Sequence, residues 1–309
     1  MSEVQISAKA VAELRKQTGC GMMDCKNALK DANGDFEAAV KILREKGMAA
    51  VAKKASRIAA EGIVDVMTIG NTTAIVEVNS ETDFVAKNAI FQAFVKDVLK
   101  TIIANKPCDV DALMACKFEG EGEGTVSDAL AEKTGTIGEK LSIRRFTVVE
   151  GAVSTYIHGL GATGVVVSFD TDVADKAEFA ECAKNVALQT AAMPVQYLDK
   201  DAVPAEVLAE EKNILVKQMQ QDPKMANKPQ QVLEKIVEGK LGKFYENNCL
   251  LHQLYVKDDS MTVAKYVEGV AKSLGGSIKV TGYVRYDKGE GLEKREEDFA
   301  AEIQKMVQG

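Results

Sequence analysis

Apolar residues recur at helical spacing through the first stretch of the chain, and the pattern predicts three short helices. The first covers 8–17, with Val11 and Leu14 on one face, and stops at Gly19-Cys20-Gly21. The second starts near Asp24 as its N-cap and sets Cys25, Ala28, Leu29 and Ala32 at i, i+3, i+4 and i+7 before Asn33-Gly34 closes it. Asp35 caps the third, whose Phe36, Val40 and Leu43 share a face up to Gly47. Residues 48–60 then turn Ala-rich around Lys53, Lys54 and Arg57, which predicts a helical linker with a solvated basic face.

Beyond the linker the pattern is no longer helical. Residues 63–67 and 74–78 are short apolar runs, each broken by one polar residue, Asp65 and Glu77, around Gly70-Asn71, which predicts a β-hairpin. Residues 88–104 return to helical spacing through Phe91, Phe94, Val95, Val98 and Leu99. This hairpin-plus-helix unit recurs: Glu61-Gly62 is answered by Glu150-Gly151, Gly70 by Gly159, and the strand at 74–78 by the one at 165–169. In the helices, Ala89, Phe91, Lys96 and Val98 are answered by Ala177, Phe179, Lys184 and Val186. Two related α+β subdomains with antiparallel sheets explain the recurrence, because a repeated unit repeats its buried positions.

Between the copies, 119–124 alternates Glu and Gly and predicts a flexible loop, followed by a strand at 143–149. After the second copy, Pro204 stands where a helix begins, with Val207, Leu208, Leu215 and Met219 as its stripe up to Asp222-Pro223. A further helix carries Val232, Ile236 and Leu241, so the two read as an inserted helical hairpin. The chain closes with a strand at 278–286, a Gly289-Glu290-Gly291 turn and a helix at 296–307. The expected division is therefore 1–60 for the N-terminal helices and linker, 61–149 for the first core subdomain and 150–203 for the start of the second. The hairpin takes 204–245, and 246–309 holds the rest of the second subdomain with a C-terminal strand-helix module.

Composition narrows the function classes. At 309 residues and 46% hydrophobic content the chain can bury a sizeable core. No apolar run approaches the roughly 20 residues of a membrane span, and 1–14 lacks a secretory pattern, so a cytoplasmic protein without membrane contact is expected. A net charge of −7 argues against direct nucleic-acid binding, and the absence of Trp leaves few stacking platforms. The six cysteines form no CxxC pair and suit reduced, mostly buried thiols.

Little in the chain points to catalytic chemistry. Two histidines, His158 and His252, sit in no metal-ligand spacing, and no metal or cofactor is expected. Residues 159–164 fit GxGxxG, yet Val165-Val166-Val167 follows where a dinucleotide fold needs a helix, so a hairpin turn is the better reading. There is neither a phosphate-loop motif nor a GxSxG elbow.

Two segments carry a specific resemblance. Thr18-Gly19-Cys20-Gly21-Met22-Met23-Asp24-Cys25-Lys26-Asn27-Ala28-Leu29 resembles the N-terminal signature of the elongation factor Ts family, TGxGMMDCKxAL. Glu77-Val78-Asn79-Ser80-Glu81-Thr82-Asp83-Phe84-Val85-Ala86-Lys87 resembles the same family's EVNxxTDFVA stretch. Ile137-Gly138-Glu139, Ile143-Arg144-Arg145, Tyr156-Ile157-His158-Gly159 and Asp298-Phe299-Ala300-Ala301-Glu302 extend the likeness over nearly the whole chain.

The resemblance implies a non-enzymatic guanine-nucleotide exchange factor for the GTPase elongation factor Tu, held in a heteromeric complex. It implies an α+β fold with a three-helix, ubiquitin-associated-like N-terminal domain. It further implies that Thr82, Asp83, Phe84 and Val85 form the segment that enters the partner beside its magnesium site. Asp83 disturbs the ion's surroundings there and Phe84 fills an apolar pocket. Ile137, Gly138 and His158 match positions that press on helices near the phosphate loop, while Met22, Met23 and Lys26 match the N-terminal contact surface. Val256 matches a C-terminal contact, with Lys257 standing where the family has an apolar neighbour. Local rules alone read Asp83 as a helix N-cap and Phe84 as a core residue. Two rival functions follow from other features: a ubiquitin-associated-like module with a different partner, from the three N-terminal helices, and an enzyme using Cys25 or Cys182 as nucleophile.

Overall fold

The computed structural model describes residues 6–293 apart from 19, 121–123 and 222–229. Helix α1 (Ala8–Thr18) turns Val11, Leu14 and Thr18 to a buried face. Helix α2 (Met22–Asp31) buries Cys25, Ala28 and Leu29, as its i, i+3, i+4 pattern requires. Its N-cap is Gly21, and the expected cap Asp24 lies inside the first turn, where a carboxylate still favours the positive end of the helix. Asn33 and Gly34 adopt φ of 52° and 87° and end it. Asp35 caps α3 (Phe36–Lys54) by accepting the Ala38 N–H at 2.9 Å.

Strands β1 (Glu61–Ile69) and β2 (Thr72–Ser80) pair antiparallel from Glu61↔Ser80 to Ile69↔Thr72 around the Gly70-Asn71 turn. The one-turn helix α4 (Asp83–Ala86) leads into α5 (Ala89–Asn105), where the Asn88 side chain accepts the Ile90 N–H at 2.8 Å. Phe91, Phe94, Val95, Val98, Leu99 and Ile102 of α5 are buried with Ile63, Val76 and Val78 of the hairpin. Two helices that the apolar pattern did not announce follow, α6 (Val110–Ala115) and α7 (Val126–Ile137). A capping box between Thr125 and Asp128 opens α7, and β3 (Ser142–Glu150) completes a sheet of order β1-β2-β3.

The expected stop at Gly47 does not occur, since α3 runs unbroken to Lys54 and absorbs most of the linker helix. Gly47 serves packing instead: a Cβ there would stand 2.9 Å from the Ala131 carbonyl oxygen, so its bare backbone lets α3 and α7 touch. Across the same contact Arg44 Nε donates to Asp128 at 2.9 Å.

The second half holds β4 (Ala152–His158), β5 (Thr163–Thr171), α8 (Ala177–Ala192), α9 (Ala205–Gln221) and α10 (Gln230–Asn248). The small antiparallel pair β6 (Leu254–Tyr255) and β7 (Asp258–Thr262), then α11 (Val263–Leu274) and β8 (Ile278–Asp287), complete it. A sheet of order β4-β5-β8 shares a core with α8 and α11 through Val165, Val167, Phe179, Val186, Val263, Val267 and Val280. Residues 159–162 form the turn between β4 and β5.

Helices α9 and α10 pair with each other through Leu215, Met219, Val237 and Leu241. Val232 lies exposed rather than on that seam, because a stripe through Val237 and Leu241 turns it away. Residues 121–123 of the loop expected at 119–124, the hairpin turn at 222–229 and the closing helix at 296–307 lie outside the described residues. Of the cysteines, Cys25, Cys182 and Cys249 are buried, Cys20 and Cys116 are partly covered, and Cys108 is exposed in the turn after α5. No helix among the described residues is long and apolar enough to cross a membrane.

Mixed helices and small sheets make this an α+β fold. The described residues divide into two compact units, one holding the chain to Val149 with Ile157–Gly164 and the segment from Tyr286, the other Glu150–Tyr156 with Val165–Arg285.

Candidate partner-binding site

The segment that the sequence singles out begins where β2 ends. Ser80 Oγ donates to the Thr82 carbonyl at 2.9 Å, turning the chain towards α4. Thr82 is the N-cap of α4, but its hydroxyl makes no capping bond and donates instead to Glu139 Oε1 at 2.7 Å. Glu139 Oε2 accepts the backbone N–H groups of Glu81 and Thr82 at 3.1 and 2.9 Å. Val85 is buried in the first core and anchors the far side of the turn. One helical step away, Phe84 points outward with 77% of its surface exposed.

Both local-rule readings are thereby overturned. Thr82, not Asp83, is the N-cap, and Phe84 is not a core residue, because a one-turn helix that commits Val85 inward must aim Phe84 about 100° away. Asp83 is exposed and pairs with Lys87 at 3.2 Å, while Lys87 Nζ stands 6.0 Å from the Phe84 ring centroid. Both partners of this ion pair are exposed to water, so it contributes little to stability.

Ile137 ends α7 half-buried against the same core, and Gly138 closes the helix at φ 85°. Glu139 is the next residue, so its carboxylate brings Ile137 and Gly138 together with Thr82–Val85. Met22, Met23 and Lys26 lie exposed on α2, which buries Cys25, Ala28 and Leu29. His158 ends β4, is exposed, and its carbonyl accepts the N–H groups of Gly161 and Ala162 at 3.2 and 3.0 Å. Val256 belongs to the second unit, exposed in the β6–β7 turn, where its N–H donates to Gln189 Oε1 at 2.8 Å. Lys257 Nζ beside it donates to Asn185 Oδ1 at 2.7 Å.

Sequence reasoning missed a buried carboxylate in the strand that leads to this segment. Glu77, wholly buried on β2, accepts Arg144 Nη1 at 3.1 Å, Arg145 Nε at 2.6 Å, Asn79 Nδ2 at 3.0 Å and the Gly289 N–H at 2.8 Å. A charged residue at an inward position of an otherwise apolar strand was the available sign, since a buried carboxylate requires partners. The nucleophile reading of the thiols meets the opposite of what it needs. Burial raises the Cys25 thiol above its ordinary range and pushes Cys182 up to about 11, which suppresses the thiolate.

Apolar side chains held outward on ordered supports, Phe84 on the hydrogen-bonded turn and Met22 and Met23 on a packed helix in the first unit, and separately Val256 in the second, have the character of a protein-binding factor. The family model described as Elongation factor TS matches residues 81–290. The elongation factor Ts of Syntrophotalea carbinolica is 46% identical over 307 residues, covering 98% of this chain and 100% of the relative. Those of Clostridium kluyveri and Magnetococcus marinus are 44% and 43% identical, each over 98% of this chain and 99% of the relative. The chain belongs to the elongation factor Ts family and is thus a translation elongation factor of protein biosynthesis.

Proposed function

We propose that this chain promotes release of guanine nucleotide from elongation factor Tu in a heteromeric complex, by contact alone and without covalent chemistry. The observation that carries the reading is the outward Phe84 on a turn pinned from both sides by Glu139 and Val85. An exposed aromatic ring held in one direction can enter an apolar pocket without first losing much conformational freedom. Asp83 beside it brings a carboxylate towards the partner's magnesium site and weakens the ion's hold on the phosphates. Ile137, Gly138 and His158 press on the helices around the phosphate loop, while Met22, Met23, Lys26 and Val256 supply affinity away from the nucleotide. A factor that prefers the nucleotide-free partner lowers nucleotide affinity by the same coupling energy.

In this reading the divisions are 1–60, 61–149, 150–203, 204–245 and 246–309, with a ubiquitin-associated-like N-terminal domain and two related α+β core subdomains. That α5 and α8 begin at the corresponding Ala89 and Ala177 and bury the corresponding Phe91 and Phe179 supports the relation. The test is stopped-flow release of fluorescent GDP from elongation factor Tu. Phe84→Ala should leave the fold intact and slow release severalfold, and Asp83→Ala should weaken exchange most when magnesium is abundant. Unchanged release in the first case, or an effect indifferent to magnesium in the second, overturns the corresponding role.

A further inference from the structure

We infer that Glu139 is a positioning residue that ties the Ile137-Gly138 turn to the Thr82–Phe84 tip, so that both press on the partner as one body; this rests on the exchange reading above. Two carboxylates reach in opposite directions across the same pair of segments. Glu139 accepts the N–H groups of Glu81 and Thr82 and the Thr82 hydroxyl, at 3.1, 2.9 and 2.7 Å. Glu81 in return accepts the Lys140 N–H at 2.6 Å and Arg57 Nη1 at 3.1 Å. An ionised carboxylate can take all of these at once because it only accepts, and bonds to an ionised acceptor are stronger than those between neutral groups.

The clasp matters because of what it holds. A single helical turn has no stability of its own, and the Thr82 hydroxyl that would normally cap α4 is committed to Glu139. The direction of Phe84 is then fixed by Val85 in the core on one side and by the clasped 81–82 backbone on the other. Gly138 at φ 85° aims the chain so that Glu139, the residue after the α7 C-cap, meets that backbone. Loosening the clasp leaves the Phe84 ring on the surface but no longer in register with Ile137 and Gly138.

Glu139→Ala and Glu139→Gln in the full chain test this, with release of fluorescent GDP from elongation factor Tu followed over a range of chain concentrations. Hydrogen exchange at the 81–82 amides reports the clasp itself. Glu139→Ala should lower the maximal release rate roughly tenfold, with the half-saturating concentration nearly unchanged, since the lost charge-assisted bonds act on presentation rather than on the distant contacts. The 81–82 amides should exchange faster. Glu139→Gln, which keeps a carbonyl oxygen for the two N–H groups, should recover most of the rate, and Thr82→Val should lose only part of it. Should Glu139→Ala fold poorly, Thr82→Val and Glu139→Gln carry the comparison.

A normal maximal rate in a Glu139→Ala chain whose amides exchange faster overturns the positioning role, and unchanged amide exchange overturns the clasp. Phe84→Ala separates the two levels. If it slows release while Glu139→Ala does not, the clasp alone has failed; if it too is without effect, the exchange reading has failed.

Discussion

Replacing Glu77 with Ala should be among the most damaging changes available to the first unit. Its carboxylate is inaccessible to solvent and accepts bonds from Arg144, Arg145, Asn79 and the Gly289 N–H, joining β2 to β3 and to the segment after β8. Alanine would leave two guanidinium groups, each about three-quarters covered, without their shared anion, together with an unpaired N–H at Gly289. Removing one partner of a buried ion pair costs about 3–5 kcal/mol, and the residual access of both arginines to water places this case near 3 kcal/mol. Burial by itself would raise the carboxyl's pKa. The Gly289 N–H, the Asn79 amide and the Arg145 and Arg144 side chains outweigh it and hold the group below the ordinary glutamate range.

A group depressed in the folded state contributes stability that is present above its unfolded pKa of about 4.3 and disappears as pH falls through the folded value. Urea unfolding at pH 7 and at a series of acidic values is the assay. The wild-type chain should lose stability below about pH 4.3. Glu77→Gln, with much the same shape and no titration, should lose less than Glu77→Ala at pH 7 and should flatten the acid slope. An Ala variant within about 0.5 kcal/mol of wild type, or a Gln variant with an undiminished acid slope, would refute the reasoning.

Three further outcomes follow from single positions. Leu160 holds φ 55° with 84% of its surface exposed, so Leu160→Gly should raise stability by about 1 kcal/mol in thermal unfolding by removing left-handed strain, and a loss would contradict this. Gly47→Ala should cost about 1–3 kcal/mol, because its Cβ would meet the Ala131 carbonyl at 2.9 Å, and a neutral melt would show that α3 and α7 can separate freely. In a native thiol titration Cys108 should react first, while Cys182 and Cys249, each pushed up to about 11 by burial, should react only as the chain opens. Rapid labelling of either buried thiol would contradict that order.

Periodicity made much of the fold legible, because helical and strand spacing are properties of neighbouring residues. The stripes of α1, α2 and α5, the Gly70-Asn71 hairpin and the cap at Asp35 were all readable in this way. The signs of α11, in Thr262 followed by Val263, Val267 and Ala271, and of α7, in its Thr125–Asp128 box, are local as well, but each is a short signal set among loops. The outward turn at Thr82–Val85 was singled out only through its likeness to a family, since local rules sent Phe84 inward and made Asp83 a cap.

What the chain determined by itself was where its backbone coils, pairs and turns, because those choices are settled within a few residues. Whether Gly47 ends a helix or admits another, whether Thr82 caps α4 or binds Glu139, and whether Glu77 finds Gly289 across 212 positions were decided only in three dimensions. Each depends on which distant group arrives to satisfy a carbonyl, a hydroxyl or a buried charge, and a one-dimensional pattern does not carry that information.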